Sequence, residues 1–404
     1  MTMTHHEKNI SADIHFQMKW RSLEAIHTEE YEACNVNFWR DCLPKEIYNK
    51  LGNKSVGQKV QVDFTPGSIV PKYDIRQTFE IKGTQFNRRF VPNKEINPRM
   101  GRFYPKGLLK GVAGVFPQNL QPFRCVGVED GRLTVDFNHP LANKRIQIKA
   151  LVKRIRLKSV ERGGRCYDWM EIIGEGPGMQ ARWEGRPTEF LLESPFQRQD
   201  ARSDLLYYQK PRLVQHIDDR AIQVVEDIHG QLLHDGMRVL DLMSSWKSHL
   251  PEDLRLEKLS GLGLNAEELA KNMDLTDWIV HDLNEDPKLP YKTGSYDAVV
   301  CTVSIEYLID PETVFKEIGR VLRPGGLFVV TFSNRWFPEK VINIWKDLHE
   351  FERMGLVMEY FQKSKMFKDL ETYSIRGLPR PTDDKYYSEI MDSDPIYAVW
   401  GYRA

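Results

Sequence analysis

Apolar residues in the last third of the chain fall into short continuous runs that alternate with runs of helical spacing. Residues 296–303, YDAVVCTV, are an apolar run short enough for a buried parallel strand. From Pro311, apolar side chains recur at Val314, Phe315, Ile318, Val321 and Leu322, which is the spacing of one helical face. Pro324, Gly325 and Gly326 stop that helix, and Leu327 opens the strand LFVVTF. Upstream, the short apolar run 239–242 after Asp235 and Gly236 predicts another buried strand. Downstream, Val341, Ile344, Trp345 and Leu348 share one face of a helix expected over 339–354. Strands over 355–361 and 396–403 close the series, with a long insertion, 362–395, between them. Before the first strand, Leu213, Val214, Ile217, Ile222, Val225, Ile228 and Leu232 are spaced for one or two helices.

The first half has a different rhythm. Residues 31–158 carry alternating apolar and polar positions between Gly and Pro turns, notably over 56–64, 78–83 and 122–158. Asp130-Gly131 between two alternating runs predicts a hairpin turn. Residues 1–30 read as a lead segment, and the polar, turn-rich stretch 159–202 as a connector. The expected organisation is therefore an α/β domain over 203–404 preceded by a β-rich domain over 31–158.

Charge adds little to this picture. Lys plus Arg number 57 and Asp plus Glu 57, so the overall balance calls for neither nucleic acid nor an anionic membrane. Ten basic residues against two acidic ones over 132–165 could offer a face to an acidic partner, although a solvated surface is the ordinary outcome. The five cysteines, 34, 42, 125, 166 and 301, include no CxxC pair, so neither a disulfide framework nor a metal site is expected. Cys301, in a core strand, reads as an inert buried thiol. No apolar run has the length of a membrane span, and residues 1–16 lack the apolar core of a signal peptide, so a cytoplasmic protein is expected.

The run 296–334, taken with RVLDLMSSWKSHLP, SGLGLN and WIVHDLN, resembles the class I S-adenosylmethionine-dependent methyltransferase fold, and the type 11 group within it. The resemblance implies a doubly wound Rossmann-like sheet with S-adenosylmethionine as cofactor, with 260–265 and 278–284 as its second and third strands and 266–272 as the short helix between them. It places Asp241 at the end of the first strand, and Met243, Ser244 and Ser245 in the turn against the cofactor. It places Asn265 near the ribose hydroxyls, and Asp282 with Leu283 near the adenine. The turn departs from the family in having no glycine; serines are small and hydrogen-bond locally, which makes them the next choice. The helices before the first strand imply pocket roles for Tyr208, Arg212, His216 and Asp218. Trp246, Tyr307, Trp336 and Phe337 add aromatic surface for a small, partly apolar acceptor. His249 and His216 are the candidate bases, because imidazole titrates near neutrality.

The block DGRLTVDFNHPLANKRIQIKALVKRI resembles the closing part of FKBP-type prolyl isomerases of the SlyD kind, and NVNFWRDCLPKEIYNK resembles the start of their insert-in-flap region. A SlyD/FKBP-like domain implies peptide binding, and hence recruitment or covering of the acceptor. Asn138 and His139 then fall in a structural turn. The leading expectation is methyl transfer to a small molecule, with a polypeptide acceptor as the variant. A non-catalytic, chaperone-like binding protein on a retired methyltransferase fold, or a prolyl isomerase, are the alternatives.

Overall fold

A computed structural model describes residues 10–52, 55–92, 94–157, 163–191 and 194–404. Residues 1–9 of the expected lead segment, and 159–162 and 192–193 of the expected connector, lie outside the described residues. The chain divides into two units. The first takes the described residues of Met1–Glu24, Ala33–Glu193 and Leu348–Leu356, and the second Ala25–Glu32, Ser194–Asp347 and Val357–Ala404.

In the first unit the expected lead segment becomes structure. From Ala12, β1 (Ile10–Arg21) alternates: Ala12, Ile14, Phe16, Met18 and Trp20 are buried, while Asp13, His15 and Gln17 between them are half-buried and Lys19 exposed. Strand β2 (Ala25–Asn37), divided between the units, and helix α1 (Lys45–Lys50) follow. β3 (Lys59–Phe64) and β1 pair antiparallel with opposite edges of β8 (Ile146–Leu157). A second sheet has the order β4-β7-β6-β5, with β4 at Thr78–Lys82, β5 at Phe103–Pro105, β6 at Pro122–Glu129 and β7 at Arg132–Asp136. The expected hairpin is there: Asp130 and Gly131, at φ 46° and 74°, turn β6 into β7, as a turn with two left-handed residues requires. Phe123, Leu133, Val135 and Tyr104 fill the core beneath it. Within the expected connector, α2 (Trp169–Gly174) is capped by the Asp168 carboxylate, which accepts from two backbone N–H groups.

The second unit holds the doubly wound sheet. Its strands are β9 (Arg238–Leu242), β10 (Lys258–Gly263), β11 (Asp277–Val280), β12 (Tyr296–Thr302), β13 (Leu322–Phe332), β14 (Phe367–Arg376) and β15 (Ile396–Arg403). The order is β11-β10-β9-β12-β13-β15-β14. β9 to β13 run parallel, β15 is antiparallel to β13 and β14 is antiparallel to β15. Residues 25–31 of β2 add a parallel strand beside β14. Helices α3 (Asp204–Tyr207), α4 (Asp219–Leu232), α5 (Ala266–Lys271), α6 (Pro311–Val321) and α7 (Asn343–Lys346) belong to this unit. Val225, Ile228, Val239, Val300 and Val329 are among the side chains of its core.

Three expectations change. The turn expected at Pro324-Gly325-Gly326 lies inside β13, whose pairing with β12 shifts register near Tyr296. Residues 355–361 are helix, not strand: α8 (Glu350–Ser364) replaces the end of the helix expected over 339–354 and the strand after it. Met354, Leu356, Val357, Met358, Tyr360 and Phe361 are all buried, and so are the charged Glu352, Arg353 and Glu359 among them, so the helix has no polar exposed face whose period would separate it from a strand. The sixth strand of the sheet is then β14, which shortens the expected insertion of 362–395 to 377–395.

Phe16 is fully buried in β1. Phe16→Ala is expected to cost about 3–5 kcal/mol in denaturant unfolding. A loss below about 1 kcal/mol would show that the segment does not belong to the core.

Candidate functional site

A cavity opens beyond the carboxyl ends of β9, β10, β11 and β12, where the strand order reverses between β9 and β12. This is the crevice in which parallel sheets place ligands. Met243, Ser244 and Ser245 line it from the turn after β9, Gly263 and Asn265 from the end of β10, and Asp282 and Leu283 from the end of β11. Val303 and Ser304 close it after β12.

The turn after β9 is built on a buried carboxylate. Asp241 is 3% exposed, and its Oδ2 accepts from Ser244 Oγ at 2.6 Å and Ser248 Oγ at 2.7 Å. Met243 takes φ 59°, the left-handed conformation that glycine adopts without strain. Ser244 N–H donates to Leu262 O at 2.7 Å, which lays the turn across the end of β10. A Cβ on Gly263 would lie 2.1 Å from Ser244 O, so only glycine fits at that strand end. Asn272 Nδ2 donates to Ser245 O and to Ser248 Oγ, both at 3.0 Å, and Ser245 Oγ donates to Glu268 Oε2 at 2.7 Å. Asp241 itself lies beneath the turn and is not on the cavity wall. Its place among the cofactor contacts is corrected to that of a residue acting through Ser244 and Ser248. Burial pushes its carboxyl up to about 7, against the pull of the two serine hydroxyls.

Asn265 lines the cavity with its side-chain amide already engaged. Its Oδ1 accepts from the N–H groups of Glu267 and Glu268, capping α5, and its Nδ2 donates to Tyr208 O and Gln209 O. No hydrogen of the amide is left for a ribose hydroxyl. Asp282 is the contrary case. Its Oδ1 accepts from Asn284 N–H at 2.9 Å, while Oδ2 is buried with no donor. Burial raises the pKa of this carboxyl.

The acceptor-side expectations divide. Tyr208, Arg212 and His216 line the cavity, on the irregular segment between α3 and α4 rather than on the expected helix. Tyr307 lines it too, and its hydroxyl accepts from Phe337 N–H at 2.9 Å, which sets the Phe337 ring in the wall. The His216 ring centre is 5.1 Å from that of Phe337, and packing around the imidazole, then the Arg212 charge, lower its pKa. Trp246, Trp336 and Asp218 do not line the cavity; Trp246 Nε1 donates to Val214 O at 3.4 Å, and the Asp218 carboxylate caps α4. His249 is also elsewhere. It takes φ 52°, its carbonyl meets His229 Nδ1 at 2.9 Å, and its ring lies in a separate hollow with Glu226 and Lys247. Its expected role as a base at this cavity is therefore withdrawn. Cys301 is fully buried with its thiol pKa raised well above the ordinary value by burial, as an inert core thiol should be.

Three wall residues carried little sequence signal. Asp204 accepts from Arg198 Nη1, Lys340 Nζ and Asn284 Nδ2; although burial opposes it, these donors hold its pKa down. Asn284 also donates to Tyr307 O and accepts from Ile309 N–H. Glu268 accepts Arg212 N–H at 2.6 Å. The pair of acidic residues opening α5 and the Asp-x-Asn after β11 are the patterns that could have drawn attention to two of them.

Residues 259–330 match the family model of a methyltransferase domain. S-adenosylmethionine is the cofactor of that domain. A ubiquinone biosynthesis O-methyltransferase of Xanthomonas oryzae pv. oryzae is 30% identical over 106 residues, covering 26% of this chain and 40% of that protein. A malonyl-[acyl-carrier protein] O-methyltransferase of Porphyromonas gingivalis is 26% identical over 155 residues, covering 34% and 53%. The chain thus spans about half or less of the length of these curated relatives. Among solved structures, the complex of the Haloferax volcanii Trm112 methyltransferase activator with a methyltransferase aligns at 18% identity and TM-score 0.34 over 50% of this chain and 99% of that one. A Thermotoga maritima S-adenosylmethionine-dependent methyltransferase aligns at 15% and 0.33, over 46% and 91%. Among the described residues no helix is long and apolar enough to cross a membrane.

Asp241 gives a pH signature. In the folded chain it keeps its proton up to about 7, whereas its ordinary value is 3.8. Between those values the folded state binds the extra proton, so stability is full at the acid end and falls as pH rises through 7. Asp241→Asn is expected to remove this slope, making the variant more stable than the parent by a few kcal/mol at pH 8 in urea unfolding. Parallel pH profiles for the two proteins would refute the assignment.

Proposed function

We propose that this chain binds S-adenosylmethionine in the cavity at the strand ends and passes its methyl group to a small acceptor. The observation that carries the reading is Asp282 Oδ2, a buried carboxylate oxygen on the cavity wall with no protein donor. An exocyclic adenine amino group is a donor of the kind this oxygen lacks. The match of 259–330 to a methyltransferase domain includes Asp282 and supports the reaction class, as do the names of the relatives.

The residues that would hold the cofactor are Met243, Ser244, Ser245, Asp282 and Leu283. Bound there, it supplies a methyl group on a cationic sulfur, so the protein's share of the chemistry is alignment and exclusion of water. Asp241 holds the serine turn in shape. Tyr208, Tyr307 and Phe337 wall the acceptor side, and their rings keep water from the reacting atoms. Burial raises the pKa of both phenols, so they stay protonated and uncharged. His216, held uncharged near neutrality, takes the acceptor's proton where the acceptor arrives protonated. The first unit, whose sequence resembles the SlyD kind, has the proposed part of recruiting or covering the acceptor, and a polypeptide acceptor would engage it.

Calorimetric titration with S-adenosylmethionine and S-adenosylhomocysteine is expected to give micromolar binding. Asp282→Ala is expected to weaken it about ten- to a hundredfold, the worth of a hydrogen bond to a charged group. Unchanged affinity in that variant would remove Asp282 from the site. The second reading is a binding protein on the same sheet that no longer uses the cofactor. The full engagement of the Asn265 amide favours it. Folded protein that fails to bind either nucleoside at millimolar concentration selects it.

A further inference from the structure

Arg212 lies on the cavity wall inside a cage of rings. Its guanidinium carbon is 4.5 Å from the centre of the Tyr207 ring, 4.6 Å from that of Phe337 and 5.2 Å from that of Tyr208. These faces suit a cation and displace water from it. Nη1 is buried and has no hydrogen-bond partner. The nearby carboxylates are engaged elsewhere: Glu268 accepts the main-chain N–H of Arg212 and the hydroxyl of Ser245, and Asp204 is held by Arg198 and Lys340. Arg212 as a whole is half-buried, but a buried N–H left without an acceptor carries a cost. A ligand carboxylate relieves that cost, and its two oxygens match the planar fork of the guanidinium. Beside it Tyr208 and His216 meet Phe337 edge to face, at 72° and 80°, and such an angled set of rings suits a further ring packed edge to face or offset against it.

We propose that the acceptor is a small aromatic carboxylate, with its carboxylate on Arg212 and its ring against Phe337 and Tyr208. The proposal rests on the methyltransferase reading above. The amino-acid end of the cofactor carries a carboxylate too, so the test separates the two sources.

Benzoate and its neutral isostere benzamide are titrated into the full-length protein, with and without saturating S-adenosylhomocysteine. Benzoate is expected to bind at least about tenfold more tightly than benzamide. Arg212→Gln is expected to abolish that preference while leaving S-adenosylhomocysteine affinity within about twofold. Arg212→Lys, which keeps the charge and loses the fork, is expected to restore part of it and so separates loss of the charge from misfolding. Equal binding of benzoate and benzamide overturns the proposal. So does a loss of nucleoside affinity in Arg212→Gln of tenfold or more, which would give the guanidinium to the cofactor's carboxylate. Failure of the nucleoside to bind the parent protein sinks the methyltransferase reading alone, because the benzoate arm without nucleoside still reads Arg212.

Discussion

A carboxylate taken out of water must be given donors, and Asp241 receives two from the turn that follows it. Ser244 and Ser248 both bend back to its Oδ2. A hydrogen bond to a charged group contributes about 1.5–3 kcal/mol, and a left-handed residue such as Met243 costs about 1–2 kcal/mol. The two serine bonds therefore offset the strain that a glycine would have avoided. Everything along the cofactor side of the cavity is arranged by that exchange. Ser244 is pinned over β10, Ser245 is carried toward Glu268, and Asn272 ties the turn to the end of α5. The demand for a glycine does not vanish; it moves to Gly263, on which the Ser244 carbonyl rests.

The wall of the cavity separates satisfied groups from open ones. Asp204, Asn284, Asn265 and Glu268 have their hydrogen-bonding capacity taken by the protein, and they fix the wall. Asp282 Oδ2 and Arg212 Nη1 do not. One is an acceptor and the other a cationic donor, so a ligand that satisfied both would carry a neutral donor at one end and an anion at the other. Two ligands, a cofactor and an acceptor, meet the same requirement separately.

The sheet was legible because its period and order are written in the residues. Apolar runs at 239–242, 296–303 and 396–403 are buried on both faces and correspond to β9, β12 and β15. The alternation in β1 was equally plain at Ala12, Ile14, Phe16, Met18 and Trp20, although the segment read as a lead. Helix α8 was not legible: Glu352, Arg353 and Glu359 are buried along with its apolar side chains, so polarity does not mark an exposed face to count. The site was legible as an address and less so as chemistry. Order along the chain located Asp241, Asn265 and Asp282, but not which of their oxygens the protein itself would use. Asn265 is consumed by a cap and two carbonyls of the segment before α4, and that long-range pairing has no local signature. His249 was misplaced because its contacts are with His229, and it lines the hollow of Glu226 and Lys247, which no local pattern marks.

The glycine-free turn bears on how such a site keeps its shape when protonation changes. A glycine turn holds the same path at any pH, since its conformation costs little. A serine turn anchored on a buried carboxyl whose pKa is pushed up to about 7 is coupled to the proton. Above that value the carboxylate accepts both hydroxyls strongly but bears the full cost of its burial; below it the burial cost falls and each serine bond weakens. The two effects oppose each other. The turn is therefore held across the neutral range, while the stability of the fold as a whole carries the pH dependence.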